Sequence, residues 1–334
     1  MDYFYDISGG SIDVSTIPVL KYLNYMYSYG FFVACGFMVA AIVITREISR
    51  REKLGWMPAL RWKKGEPELT SMLVGDFVII CAIFGILGSN LFNFLESPDS
   101  YNNFSKDPLG SIFSGLSVYG GMICAGLALL IYSWRKGIKI PSLFDCLAYC
   151  FILAVGIGRI GCQVSGDGDW GIVNTAAKPS FIPQLLWSNT YAHNIANEGV
   201  GIPGCIEQHC TVLPEAVFPT PMYEFIECFI IFLVLHFIRR QLTNKPGMLF
   251  FIFAILIGVQ RYSIEQIRSI SDRQLYWVFG HGFKQAELIS MALIVAGIIG
   301  SIWLSMYYAK HPPVMPPPLA PLATEPDEQM DAAA

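Results

Sequence analysis

The sequence predicts an all-α polytopic membrane protein with seven transmembrane helices, and three observations carry that prediction. Of 334 residues, 54% are hydrophobic and only 14% are charged, against about 25% charged in a typical soluble domain. Seven apolar stretches are long enough to cross a bilayer, which takes about 20 helical residues; they run over 26–45, 72–95, 112–134, 141–161, 217–238, 247–267 and 286–308. The Lys and Arg residues between these stretches are shared unequally between the two sides.

Taken in order, the chain opens on MDYFYDISGGSIDV, which has three aspartates and no Lys or Arg. A cleavable signal peptide needs a positive n-region before a short apolar run, so the first apolar stretch is expected to stay in the membrane, behind an outer N-terminal segment 1–25. Segment 46–71 carries Arg46, Arg50, Arg51, Lys53, Arg61, Lys63 and Lys64. Arg135, Lys136 and Lys139 follow the third span, Arg239, Arg240 and Lys245 follow the fifth, and Lys310 follows the seventh. That side holds 14 cations against 6 on the other (Lys21, Lys106, Lys178, Arg268, Arg273 and Lys284). Positive loops stay inside, so the N-terminus faces out and the C-terminus faces the cytoplasm. The parts are then spans one to four over 26–161, an outer loop subdomain over 162–216, spans five to seven over 217–308, and a cytoplasmic tail over 309–334. The outer loop holds Trp170, Trp187, His193, His209 and several prolines; loops of that length are usually functional or small subdomains. The tail is proline-rich and then acidic, a composition that does not build a core.

Net charge is −4, and no RRM, zinc-finger or P-loop pattern is present, so nucleic acid is excluded as a partner. Most of the nine cysteines lie in apolar runs, where free Cys behaves as a small hydrophobe. Cys205, His209 and Cys210 share a polar loop, yet their spacing fits no common zinc pattern and a second ligand pair is missing. No metal and no cofactor is expected. A disulfide between Cys205 and Cys210 is the better reading if that loop faces an oxidising compartment.

Topology sets the depth of each polar residue. The first, third and fifth spans enter from outside with Tyr29, Tyr119, and Tyr223 beside Glu224. The second, fourth and sixth leave toward the outside with Asn90 and Asn93, Arg159, and Arg261 beside Glu265. Six helices therefore bring polar groups to one depth near the outer leaflet, while Asp145 is the main polar residue of the inner half. Ionisable side chains inside a membrane cost about 2.5–3.5 kcal/mol each and mark functional sites by default. Arg261 and Glu265 are four residues apart and share a helix face. A structural ion pair, or snorkelling of Arg159 to the headgroups, would explain either arginine alone; two arginines with several carboxylates at one depth fit an anion site better. Guanidinium binds phosphate bidentately, and the abundant anion at that depth is lipid phosphate. Glycines in VYGGMICAG, including Gly120 and Gly121, and in GRIGC permit close approach, either of helix to helix or of backbone to ligand.

GRIGCQVSGDGDWG resembles the signature of the prolipoprotein diacylglyceryl transferase family, a Gly-Arg-x-Gly-Asn run followed by an acidic residue and Gly. Five further stretches resemble that family in the same order: YSYGFFVACGF, SVYGGMICAG, FPTPMYEFIECFI, QRYSIEQIR and GFKQAELISMALIVAGI. Together they cover roughly residues 22–306. Three positions depart from the pattern: Tyr119 stands for a His, Cys162 for an Asn, and Phe218 for the His of a His-Pro pair. GDGDWG is one residue longer than the family's acidic segment, so either Asp167 or Asp169 fills the acidic position.

The resemblance implies an enzyme of the bacterial inner membrane. It would move the diacylglyceryl group of phosphatidylglycerol onto the lipobox cysteine thiol of a prolipoprotein signal peptide, forming a thioether and releasing glycerol phosphate. Such a displacement needs a thiolate, a base within reach and cations on the departing phosphate. Arg159 and Arg261 suit the phosphate, and Glu265, Asp167 or Asp169 could accept the proton. Tyr119, where the family has its histidine, would orient the lipid by hydrogen bonding, and it is grouped with Arg261, Glu265, Asp167 and Asp169 as catalytic. Tyr29, Gly120, Gly121, Arg159, Cys162, Tyr223, Glu224 and Arg268 are assigned to the lipid phosphate and headgroup. The competing reading keeps the scaffold without the chemistry, as a phospholipid-binding or transport-type membrane protein. Transporter sites lie near the midplane between paired halves, and here the polar cluster is nearer one surface. A retinal protein would need a lysine within the last span, which has none.

Overall fold

Eight α-helices make up most of the computed structural model, which describes residues 28–57, 60–61, 67–96, 117–206, 209–268, 275–278 and 281–314. The expected outer segment 1–25 and the tail beyond 314 lie outside these residues. The helices are α1 (Ser28–Lys53), α2 (Val74–Glu96), α3 (Val118–Arg135), α4 (Ile140–Ser165), the short α5 (Gln184–Trp187), α6 (Thr220–Ile238), α7 (Met248–Glu265) and α8 (Gln285–Lys310). Three two-stranded antiparallel ladders join them: β1 (Leu60–Arg61) with β2 (Pro67–Glu68), β3 (Val200–Gly201) with β4 (Thr211–Val212), and β5 (Leu275–Val278) with β6 (His281–Lys284). Among the described residues, six helices are long and apolar enough to cross a membrane. The third expected span corresponds to α3, described from Val118 onward.

Two helices outrun their expected apolar limits. α1 continues past residue 45 to Lys53, because Glu47 pairs with Arg50 at 2.5 Å and with Arg51 at 3.2 Å one turn on, the spacing at which charges support a helix. α4 continues past residue 161 to Ser165, so Cys162 is helical rather than part of the loop. Gly166 ends it with φ of +62°, its N–H bonded to the Cys162 carbonyl at 3.0 Å. A left-handed glycine is the usual helix stop.

The described residues form two compact units, one comprising the chain up to Val43 with Phe144–His311, the other Ile44–Leu143. In the second unit α2 and α3 meet along a glycine seam. A Cβ on Gly120 would strike Phe92 and the Gly88 carbonyl, and one on Gly121 would strike Ser89. Lipid gives packed helices little hydrophobic reward, so close backbone approach at small residues holds them. Gly120→Leu is accordingly expected to cost about 1–3 kcal/mol through overpacking, read as a lowered melting temperature in detergent. An unchanged melt would mean that the seam opens without penalty. Asn90, buried on α2, donates to the Ile86 carbonyl of its own helix at 2.8 Å.

In the first unit, Ala148, Tyr149 and Ile152 of α4 pack with Cys228, Ile231 and Leu235 of α6 and Leu249 and Phe253 of α7. The spacing of three and four on each helix is that of one buried stripe. Asp145, fully buried, accepts the Gly247 and Phe250 N–H groups at 3.0 Å each, so it caps the first turn of α7. Helix starts leave such donors without a partner, and a carboxylate there also complements the helix dipole.

In the loop after α4, Trp170, Tyr191 and Val217 pack into a small core. Asn194, 1% exposed, binds the backbone of Tyr191, Glu198 and Thr211. Cys205 and Cys210 form a disulfide.

Candidate active site

Helix ends and one loop strand converge within the first unit. The strand is Gly171–Ile172, whose backbone lies between the chain at Phe218 and the chain at Ile267. Gly171 N–H bonds the Phe218 carbonyl at 2.8 Å, Ile172 N–H the Ile267 carbonyl at 2.9 Å, and Phe218 N–H the Ile172 carbonyl at 3.1 Å. Glycine is required at 171, because a Cβ would sit 2.7 Å from the Ile267 oxygen and 2.9 Å from Phe218 Cβ. This crossing fixes Asp169 beside α4, the start of α6 and the chain following α7. The Thr220 hydroxyl adds a hydrogen bond to the Asp169 carbonyl.

On that frame sits a row of alternating charges. Arg268 pairs with Asp169, Asp169 with Arg159, and Arg159 with Glu224. Glu224 accepts from Arg261 at 2.9 Å, Arg261 lies 3.2 Å from Glu265, and Lys284 Nζ lies 3.9 Å from the same carboxylate. Lys284 also donates to the Glu265 backbone carbonyl at 2.8 Å. Both Glu265 carboxylate oxygens are buried without a hydrogen bond. The side chains of Arg159, Arg261 and Arg268 are 22%, 24% and 19% exposed, whereas those of Glu224 and Glu265 are 5% and 0% exposed. The row therefore hides its glutamates and leaves its arginines partly open. Four cations face three carboxylates, an excess of one positive charge.

The two aspartates that the sequence leaves as alternatives occupy different places. Asp169 bridges two arginines. Asp167 faces the Cys162 thiol and accepts the Asp169 N–H at 3.3 Å. Burial first, and then the Asp169 charge, push the Asp167 carboxyl above the ordinary carboxylate range. Cys162, 5% exposed, has its sulfur 3.7 Å from Arg159 Nη1. Cys162, Asp167 and Asp169 place their ligand atoms within 4.8 Å of one another. Each Asp169 oxygen is already on a guanidinium, so the trio is ill suited to a cation.

Tyr29 of α1 lies close enough to Cys162, Asp167, Arg159 and Asp169 to feel their charges, and Gly161 brings α4 against its backbone, 3.3 Å from a built Cβ to the Tyr29 oxygen. Tyr223 engages the outer loop instead, donating to the Leu186 carbonyl at 2.9 Å. Tyr119, Gly120 and Gly121 belong to the second unit. His193 Nδ1–H donates to the His209 carbonyl, 2.8 Å away, and the neighbouring Cys205 and Cys210 are consumed in the disulfide.

Sequence reasoning passed over Lys284 and Glu227. Lys284 was counted only as a loop cation, although it directly precedes α8 and joins a capping box with Glu287. Glu227 lies one turn beyond Glu224 within an apolar helix, beside Gln260 and with one buried oxygen lacking a partner. A second carboxylate three residues after the first was the available signal.

The family model described as prolipoprotein diacylglyceryl transferase matches residues 18–303. Similar curated proteins carry the name phosphatidylglycerol–prolipoprotein diacylglyceryl transferase. One from Beijerinckia indica is 27% identical over 255 residues, covering 73% of this chain and 82% of its own. One from Clostridium perfringens is 25% identical over 279 residues, covering 82% and 88%. One from Finegoldia magna is 23% identical over 246 residues, covering 74% and 84%.

Proposed function

Because this chain belongs to the prolipoprotein diacylglyceryl transferase family, it transfers diacylglyceryl from phosphatidylglycerol to a prolipoprotein, and we propose that the arginine–carboxylate row is where the lipid phosphate sits. The observation that carries this reading is the pair of arginines, Arg159 and Arg261, whose side chains stay partly exposed while the Glu224 they share is buried. Phosphatidylglycerol is a phosphodiester with one negative charge. Arg159 and Arg261, held by the same Glu224, can each turn free donors toward its oxygens, and Arg268 supports Asp169 from the other end.

In the reaction the sulfur of the lipobox cysteine attacks the glycerol carbon that bears the phosphate. A C–S bond forms as the C–O bond breaks, and glycerol phosphate leaves with a second negative charge developing on phosphorus oxygens. Fixed guanidiniums stabilise that growing charge more than the starting diester. The glutamates keep the guanidiniums oriented before the lipid arrives, so little reorganisation is left for the reaction itself.

The cellular setting belongs to the same proposal: seven crossings with α3 as the third, the N-terminus outside, the site at the outer leaflet of the bacterial inner membrane, and a lipobox signal peptide as acceptor. The excess of Lys and Arg on the opposite side supports this orientation. Purified protein incubated with phosphatidylglycerol and a lipobox-cysteine peptide is expected to yield a peptide heavier by one diacylglyceryl group in mass spectrometry. Folded wild-type protein that yields no adduct would overturn the reading.

A further inference from the structure

We propose that Asp167 is the group that takes the proton from the substrate thiol. This rests on the transferase reading and names its missing base. A thiol is a weak nucleophile and its thiolate a strong one, so a nearby group must accept a proton. The sequence leaves Glu265, Asp167 and Asp169 as alternatives, and ion pairing separates them. Asp169 is bound by Arg159 and Arg268, Glu265 lies against Arg261, and Glu224 is shared by Arg159 and Arg261. Each of these carboxylates already has a guanidinium against it. Those three side chains are occupied in orienting arginines.

Asp167 has no cation within ion-pair distance among the described residues. The groups facing it are Cys162 and Arg159 from α4, Tyr29 from α1, Tyr191 from the outer loop and Asp169 from its own turn. Its surroundings raise its proton affinity through burial and the Asp169 charge. The Cys162 sulfur lies within 4.8 Å of its carboxylate, so the space beside this carboxylate accommodates an S–H group. A carboxylate offers about four lone-pair positions. Asp167 uses one for the Asp169 N–H, which leaves room for an incoming thiol. Glu227 is also without an arginine, but its carboxyl is turned to Gln260.

The step balances. The thiol proton passes to the Asp167 carboxylate, the sulfur electron pair forms the C–S bond, and the C–O pair leaves on phosphate. Asp167 then returns its proton to water or to the released phosphate dianion.

The test uses full-length protein in phosphatidylglycerol vesicles with a lipobox-cysteine peptide. Asp167→Asn is expected to lower kcat at pH 7 by about 10²–10⁴-fold, the usual share of general-base catalysis, with little change in KM. Its remaining rate should climb about tenfold per pH unit toward the thiol pKa near 8.5. A peptide with selenocysteine in place of the reactive cysteine, ionised at neutral pH, should recover most of the lost rate in Asp167→Asn. It should not rescue Asp169→Asn, whose defect lies in the arginine row. Asp167→Glu keeps the carboxylate, so its rate should stay within about tenfold of wild type by the same logic; it decides the matter should the Asn variant fail to fold. A rate for Asp167→Asn near that of wild type, or a folded Asp167→Asn not rescued by selenocysteine, would overturn the assignment. Wild type inert with both peptides would instead sink the transferase reading from which the assignment follows.

Discussion

Arg159→Ala is expected to lower kcat/KM by about 10³-fold while leaving a folded protein, in line with the loss of one pre-oriented donor to a developing oxyanion. The geometry explains both halves of that expectation. Arg159 is the centre of the row, touching Asp169, Glu224 and Cys162, so its removal takes away the guanidinium that acts on both aspartates. Glu224 would still be bonded to Arg261 at 2.9 Å and Asp169 to Arg268, so neither carboxylate is left as a lone buried charge. Arg159→Lys restores the charge but not the planar fork that holds two partners at once, and only part of the rate should return. The measurements are initial rates of adduct formation and a thermal melt in detergent. Near-normal turnover in Arg159→Ala would remove this residue from the phosphate site.

Glu224→Ala should be the most destabilising change in the row, by about 3 kcal/mol, because it breaks a buried pair from one side and leaves two guanidiniums without their common partner. Turnover should fall at least as far as in Arg159→Ala, since Arg159 and Arg261 both lose their orientation. Asp169→Ala gives the contrast: its carboxylate is 24% exposed, water can reach the freed arginines, and the loss of stability should stay within about 1 kcal/mol. Denaturation in detergent compares the two. A Glu224→Ala protein as stable as Asp169→Ala would show that burial does not set the strength of these pairs.

Much of the fold was legible because membrane spans write themselves in composition. Apolar runs of some 20 residues and an uneven count of cations identify spanning helices without any long-range contact. Helix ends were less legible where polar residues remain helical, as in TREISRREK of α1, held by Glu47, and in Cys162–Ser165 of α4, continued to Gly166. Asp145 looked like an exception to an apolar inner half. Its partners, Gly247 and Phe250 N–H, are about a hundred residues away, and local pattern reading cannot find them.

The sequence by itself determined which charges reach one depth: Arg159, Arg261 and Glu265 lie near the ends of apolar helices and Glu224 near the start of one running the other way, and a helix rises a fixed distance per residue. It could not say which carboxylate meets which arginine, because pairing depends on the rotation of each helix about its axis and on where the loop returns. Tertiary structure decided that. The strand at Gly171, threaded between Phe218 and Ile267, sets Asp169 between Arg159 and Arg268 and turns Asp167 to Cys162. Two aspartates that are interchangeable in GDGDWG thus stand in different fields, since Coulomb interactions follow distance in space rather than separation along the chain.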